Sequence, residues 1–85
     1  MAAISPFVHG NGSSKQHLLA LRERAYLKLG EAIEALEHMG PNGRDYYLVS
    51  GLLERAIENH AGRMAAVFGV MDELSEECRL INEQT

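Results

Sequence analysis

The second half of the chain reads LERAIENHAGRMAAVFGVMDELSEECRLI (residues 53–81), and the spacing of its apolar residues decides the fold. Apolar side chains recur alternately four and three residues apart, which places them along one side of a long α-helix. The resulting stripe consists of Leu53, Ile57, His60, Met64, Val67, Met71, Leu74, Cys78 and Ile81. His60 is the only residue of the stripe whose side chain can carry a positive charge. The pattern predicts a helix that buries one face against other helices.

An earlier amphipathic stretch predicts a first helix over residues 15–39. Apolar residues that include Leu29 and Leu36 fall on one broad side of this helix at about 100° per residue. Ser13 or Ser14 is suited to cap its start, because a serine oxygen accepts hydrogen bonds from the unpaired amides of the first turn.

The run GPNG (residues 40–43) predicts the end of the first helix. Gly40 follows the last apolar position and favours a left-handed C-cap, and the proline after it cannot continue the helical hydrogen bonds. Asp45 or Ser50 is then a suitable N-cap. We expect a short turn or a single helical turn over residues 44–47, followed by a continuous second helix over residues 51–82.

The predicted architecture is all-α: an antiparallel hairpin of two long helices, residues 14–85, preceded by a flexible N-terminal tail, residues 1–13. Each apolar arc is wider than one neighbouring helix covers, so we expect two copies to form a four-helix bundle as a homodimer. A hetero-complex would satisfy the same surface. The expected self-association interface comprises Leu53, Ile57, His60, Met64, Val67, Met71, Leu74, Leu29 and Leu36.

The alignment of the two helices follows from the short connection between them. If Met39 faces the vicinity of Ser50, then Ser14 lies opposite roughly Ser75. The last turns of the second helix, which include Ile81, would then overhang. We expect either the N-terminal tail or a second subunit to cover this end.

Size and charge restrict the protein to one small domain with an ordinary solvated surface. The 85 residues contain 12 acidic and 8 basic side chains, for a net charge of -4, which argues against non-specific nucleic-acid binding. A single cysteine excludes an internal disulfide and fits a reducing compartment. With neither a signal-like start nor an apolar run of about 20 residues, a cytoplasmic protein is expected.

The sequence predicts neither an enzyme nor a metal or cofactor site. It has no glycine-rich phosphate loop and no nucleophile with a base at a familiar spacing. His60 is either a pH switch or metal ligand, or a neutral histidine in the core or interface. We favour the second alternative, because di-iron bundles place a glutamate three residues before the histidine and Ile57 stands there.

The candidates for binding another protein are two tyrosines and two arginines. Tyr46 and Tyr47 follow a Gly/Pro turn, and tyrosine is enriched at binding hot spots. The alternative is that they cap the open end of the bundle. Arg44 precedes them. Arg22 lies within the apolar arc of the first helix, where it either extends its charge to the edge or pairs with a carboxylate of a second subunit.

The function predicted from these features is protein–protein binding without catalysis, as an adaptor, a chaperone-like partner or an inhibitor of a host factor of the phage or accessory type. The alternative is a small dimeric DNA-associated transcriptional regulator or antitoxin. Its basic face would come from Arg44, Arg55 and Arg63, of which the last two lie about 80° apart on the helix.

Overall fold

The structure is a computed structural model that describes residues 3–84. It contains α1 (Lys15–His38), α2 (Gly43–Tyr46) and α3 (Leu52–Asn82), and all regular secondary structure within the described residues is helical. The long helices α1 and α3 pack against each other. The prediction of an all-α helical hairpin is therefore confirmed, and the expected short turn or helical turn between the long helices is the single turn α2.

The start of α1 agrees with the predicted serine cap, but its end differs from the prediction. The side chain of Ser14 accepts a hydrogen bond from the backbone N–H of His17 at 3.1 Å. At the other end, Met39 is the C-cap, and the N–H of Gly40 donates to the carbonyl of Glu37. The left-handed C-cap predicted at Gly40 is wrong, because this glycine does not have a positive φ. The residue before a proline is restricted towards extended backbone, and i-to-i+3 hydrogen bonds close the last turn instead.

The start of α3 uses a glycine rather than either predicted cap. Asp45 lies inside α2, where its backbone N–H donates to the side chain of Asn42 and its carboxylate accepts from the amide of that residue. Ser50 precedes the actual N-cap, Gly51, whose φ of 79° lies in the left-handed region that glycine adopts without steric cost. The left-handed glycine of this connection thus stands before α3, not after α1.

The predicted alignment of the helices is wrong by about ten residues. Arg22 pairs with Glu77, not with the region of Val67, and Gly40 lies beside the imidazole of His60. The connection contains α2, which packs on α3, so the chain travels past the end of α1 before it turns back. As a result, the N-terminal turns of α3 extend beyond α1.

The other end of the hairpin is covered by the chain's own N-terminal segment. The side-chain amide of Gln84 accepts from the backbone N–H of Val8 at 2.7 Å and donates to the carbonyl of Pro6 at 2.9 Å. The Lys15 ammonium donates to the carbonyl of Gln84 at 2.8 Å and to that of Asn82 at 3.0 Å. We call these four hydrogen bonds the terminal clasp. The expected overhang of the last turns of α3 is wrong, because the shifted alignment brings them beside the start of α1. The N-terminal segment nevertheless contacts this end, and the flexibility of the tail stays a prediction.

The core of the hairpin is small. The molecule measures 61 × 21 × 16 Å, and its buried apolar residues among those described are Ile33, Met71 and Ile81. Ile81 is fully buried beside the terminal clasp. A rod of two helices has little interior, so most apolar side chains of both stripes stay half-buried.

Candidate protein-binding surfaces

The tip of the hairpin carries three consecutive exposed apolar side chains. Tyr47 is 74% exposed, Leu48 82% and Val49 52%, and we call these three residues the end turn. The backbone explains their position. Helix α2 ends at Tyr46, and a hydrogen bond from the N–H of Leu52 to the carbonyl of Val49 closes the turn into α3. The three side chains therefore stand at the end of the rod.

The structure separates the four predicted partner-binding residues. Tyr46 is half-buried at the end of α2, whereas Tyr47 is exposed. Arg44 is exposed on the same turn of helix. Arg22 lies 16 residues before the end of α1, about 24 Å from that end at 1.5 Å per residue, and the tip lies farther still. A single contact surface at the tip can include Arg44, Tyr46 and Tyr47, but not Arg22.

Arg22 forms an ion pair within the chain. Its Nε donates to Oε1 of Glu77 at 3.0 Å, and its Nη1 donates to the carbonyl of Leu18 at 3.0 Å. Both charged side chains are about four-fifths buried. The pair provides hydrogen-bond acceptors for a guanidinium inside an otherwise apolar contact. It also joins α1 to α3 at one defined alignment.

A groove with a volume of about 380 Å³ runs along one side of the hairpin, between α1 and α3. We call it the side groove; it is lined by Glu23, Tyr26, Leu27, Leu74, Ser75 and Cys78. Glu23 is the only charged residue among them. Leu27 is 68% exposed at the rim. This groove offers an apolar side chain of another molecule a place to bind.

The thiol of Cys78 in the side groove is a weak nucleophile. Partial burial raises the pKa of Cys78 because the thiolate is the charged form, and the carboxylate of Glu23 raises it further. The nearby Arg22 acts in the opposite direction with a smaller effect. Little thiolate is present at neutral pH, so the geometry does not favour a reactive cysteine.

Two further apolar residues extend the surface of the side groove along α3. Ile57 and Phe68 are each about half exposed. They lie eleven residues apart, about three helical turns, and Ser75 lies about two turns beyond, so all three share one side of the helix. We use the name side face for the surface that consists of the side groove and the exposed residues Tyr26, Leu27, Ile57 and Phe68.

The residues predicted for self-association are mostly used within the chain. Met71 is buried, and Ile57 is the exposed member of the set. Six others are half-buried along the part of α3 that faces α1 or on α1 itself: Leu29, Leu36, His60, Met64, Val67 and Leu74. Leu53 is also half-buried but lies in the part of α3 that extends beyond α1. The stripe that looked available for a second subunit is thus largely covered by the other helix of the hairpin.

Leu27 and Phe68 were not singled out from the sequence. Phe68 stands next to the stripe rather than on it, and only its three-turn relation to Ile57 points to a shared side. Leu27 falls on the polar side of α1, and its exposure at the groove rim depends on the observed helix alignment.

Comparison of the chain with protein-family models, curated proteins and solved structures gives no significant match. Among residues 3–84 no group of three or more histidine, cysteine or acidic side chains is placed to hold a metal ion. Within the same range, the helices are too short or too polar to cross a bilayer.

Proposed function

We propose that this chain is a non-catalytic helical module that self-associates as a homodimer and binds another protein through its end turn. The observation that carries the proposal is the exposure of Tyr47, Leu48 and Val49 at the tip. Three adjacent apolar side chains in water are a typical feature of a binding surface, whereas single exposed ones are ordinary.

The end turn has the properties of an interface hot spot. Full burial of a leucine side chain stabilises a complex by about 1.5–3 kcal/mol, and tyrosine combines a large apolar ring with a hydroxyl that can bond at the rim. The exposed Arg44 adds a cation beside these residues. An acidic rim on the partner would complement it.

The end turn is tested by capture of binding proteins from the cells in which the chain is made. Three forms are compared: the unchanged protein, the double variant Tyr47→Ser/Leu48→Ser, and Leu21→Ser as the matched control. Leu21 is also an exposed leucine but lies on α1, away from the tip. We expect a protein that is captured by the unchanged and control forms and lost with the double variant.

The captured protein is then titrated, as a purified sample, against all three forms. Loss of two hot-spot side chains should raise the dissociation constant at least about 30-fold, which corresponds to about 2 kcal/mol. Equal capture and equal affinity for the double variant and the control would contradict binding through the end turn.

Self-association is tested separately by sedimentation equilibrium over a hundredfold range of concentration. We expect the mass of two chains of 9.4 kDa at micromolar concentration. A folded monomer throughout this range would contradict the homodimer.

A further inference from the structure

The hairpin exposes more surface than a folded monomer of its size. Its accessible surface is 6405 Å², whereas about 5,000 Å² is expected for a monomer of 9.4 kDa. Its radius of gyration is 18.2 Å, against about 12 Å for a compact domain of this length. The excess of about 1,400 Å² is larger than the roughly 800 Å² that each partner contributes to a standard interface.

The side face is the part of the long surface that combines a depression with projecting apolar side chains. The side groove lies at one end of this face, near Ser75, and Ile57 projects at the other end. Phe68 lies between them. The distance from residue 57 to residue 75 is about 27 Å along the helix.

The chain's own N-terminal segment does not occupy the side face. Ala3 lines a different groove of α3 together with Ala66, Gly69 and Val70. The lining of this groove extends around α3 from Asp72, about 40° from residue 68, to Val70, about 200° from residue 68. The described N-terminal segment lies there and at the terminal clasp, so it leaves the side groove and Ile57 open to another chain.

We propose that a second copy of this chain covers the side face in an antiparallel arrangement, with Ile57 of each copy seated in the side groove of the other. A two-fold axis near Phe68 places Ile57 of each copy at the side groove of the other copy, so the same contact forms twice. This inference rests on the proposed self-association, and it is independent of the end turn.

The arrangement places the two thiols of the dimer far apart. Cys78 lies about ten residues from the proposed axis, so the two copies of Cys78 are about 30 Å apart. By contrast, residue 57 of one copy lies beside Cys78 of the other. Within one chain these two positions are 21 residues apart on the same helix, about 31 Å, so no intrachain disulfide joins them.

Disulfide trapping in the full chain with Ile57→Cys tests this geometry. Two thiols lose two protons and two electrons to form the disulfide, and oxidised glutathione accepts them. The reaction is run near pH 9, because the pKa of Cys78 is raised. We expect a covalent dimer for Ile57→Cys, and none for the unchanged chain, for Val70→Cys or for the double variant Ile57→Cys/Cys78→Ser.

Two outcomes of the trapping would overturn the proposal. A covalent dimer of the unchanged chain would show that the two Cys78 thiols meet, as they do in a parallel arrangement. Absence of a covalent dimer for Ile57→Cys, when its mass without oxidant is that of a dimer, would place the interface elsewhere.

A charged substitution on the side face tests the same proposal without cysteine chemistry. Phe68→Glu introduces a carboxylate at a position that is half exposed in the single chain, so the hairpin should keep its helical circular dichroism. We expect the dissociation constant of the dimer to rise at least about 100-fold. Val70→Glu, at a similarly exposed position on the other flank, should leave it unchanged.

The results separate the two levels of inference. If the unchanged protein is a dimer and Phe68→Glu does not weaken it, the side face is not the interface, although self-association stands. If the unchanged protein is a folded monomer at all concentrations, both self-association and this arrangement are contradicted.

Discussion

The Arg22–Glu77 pair is the polar contact in the described chain that joins α1 directly to α3 by two charged side chains. Each side chain is about one-fifth exposed, so solvent screens the pair less than it screens a surface pair. The guanidinium also donates to the carbonyl of Leu18, which fixes its direction. This residue therefore selects one alignment of two apolar stripes.

Arg22→Ala should lower the free energy of unfolding by about 1–3 kcal/mol, because it leaves the Glu77 carboxylate partly buried without a partner. Urea unfolding at a fixed protein concentration measures the change. The matched control is Lys28→Ala, which removes an ion pair with Glu31 whose two side chains are about two-thirds exposed. The control should change stability by less than about 1 kcal/mol; equal effects for the two variants would refute the structural role of Arg22.

Glu23→Gln should lower the pKa of Cys78. The carboxylate of Glu23 disfavours the thiolate, so a neutral amide in its place makes deprotonation easier, while burial still holds the pKa above its ordinary value. The rate of alkylation by iodoacetamide as a function of pH gives the pKa. Glu31→Gln serves as the control, since this exposed carboxylate does not contribute to the pKa of Cys78; the same shift for both variants would show a general charge effect.

At the scale of the helices, the limits of α1 and α3 depend on local signals, whereas the alignment of the two helices does not. Ser14 and the limits of both long helices agree with the sequence within one residue, because side-chain caps and apolar spacing are local properties. The alignment of α1 with α3 is not local. A stripe that repeats every seven residues packs in a similar way after sliding along its neighbour, so spacing does not select Glu77 as the partner of Arg22.

The same difference between local and non-local signals explains which candidate binding residues could be predicted from the sequence. The turn residues before Tyr47 make it a partner-binding candidate; the structure shows that its side chain is exposed, and its role in binding stays a prediction. The side groove depends on which residues of α1 lie beside residues 74–78 of α3. That relation follows only from the alignment, so the sequence did not indicate Leu27 or Phe68.

Gly51→Ala should destabilise the hairpin by about 1–2 kcal/mol. No atom lies within 4 Å of a Cβ at this position, so the cost is that of holding an alanine at a φ of 79°. Gly62→Ala is the matched control, because it is also free of contacts but lies within α3. There alanine should stabilise by up to about 1 kcal/mol. Thermal unfolding of both variants measures the effects, and a loss of stability in both would mean that φ is not the cause.

At the scale of the whole molecule, the terminal clasp joins residues that are more than 65 positions apart in the chain. Lys15 places a positive charge at the C-terminal end of α3, where unpaired carbonyls and the helix dipole favour it. The clasp holds the N-terminal segment next to the fully buried Ile81.

Gln84→Ala should release the N-terminal segment without unfolding the helices. The variant removes both side-chain hydrogen bonds, to Val8 and to Pro6. We expect the amide hydrogen of Val8 to exchange at least about tenfold faster, while amides in the middle of α3 keep their protection. Exchange measured by NMR resolves the two groups. The control is Gln16→Ala, an exposed glutamine outside the clasp; unchanged exchange at Val8 in Gln84→Ala would mean that other contacts hold the segment.

The terminal clasp also determines how the molecule responds to tension. Because residues 6–8 and Gln84 meet at one end of a rod 61 Å long, a force applied between the two ends of the chain pulls α1 and α3 apart crosswise. The contacts of Ala3 in its groove on α3 and then the clasp carry the load first, and the helix pair then separates turn by turn towards the tip. Contacts that break one after another resist less than contacts that must break together, so the hairpin should open at low force, with the end turn the last part to lose its shape.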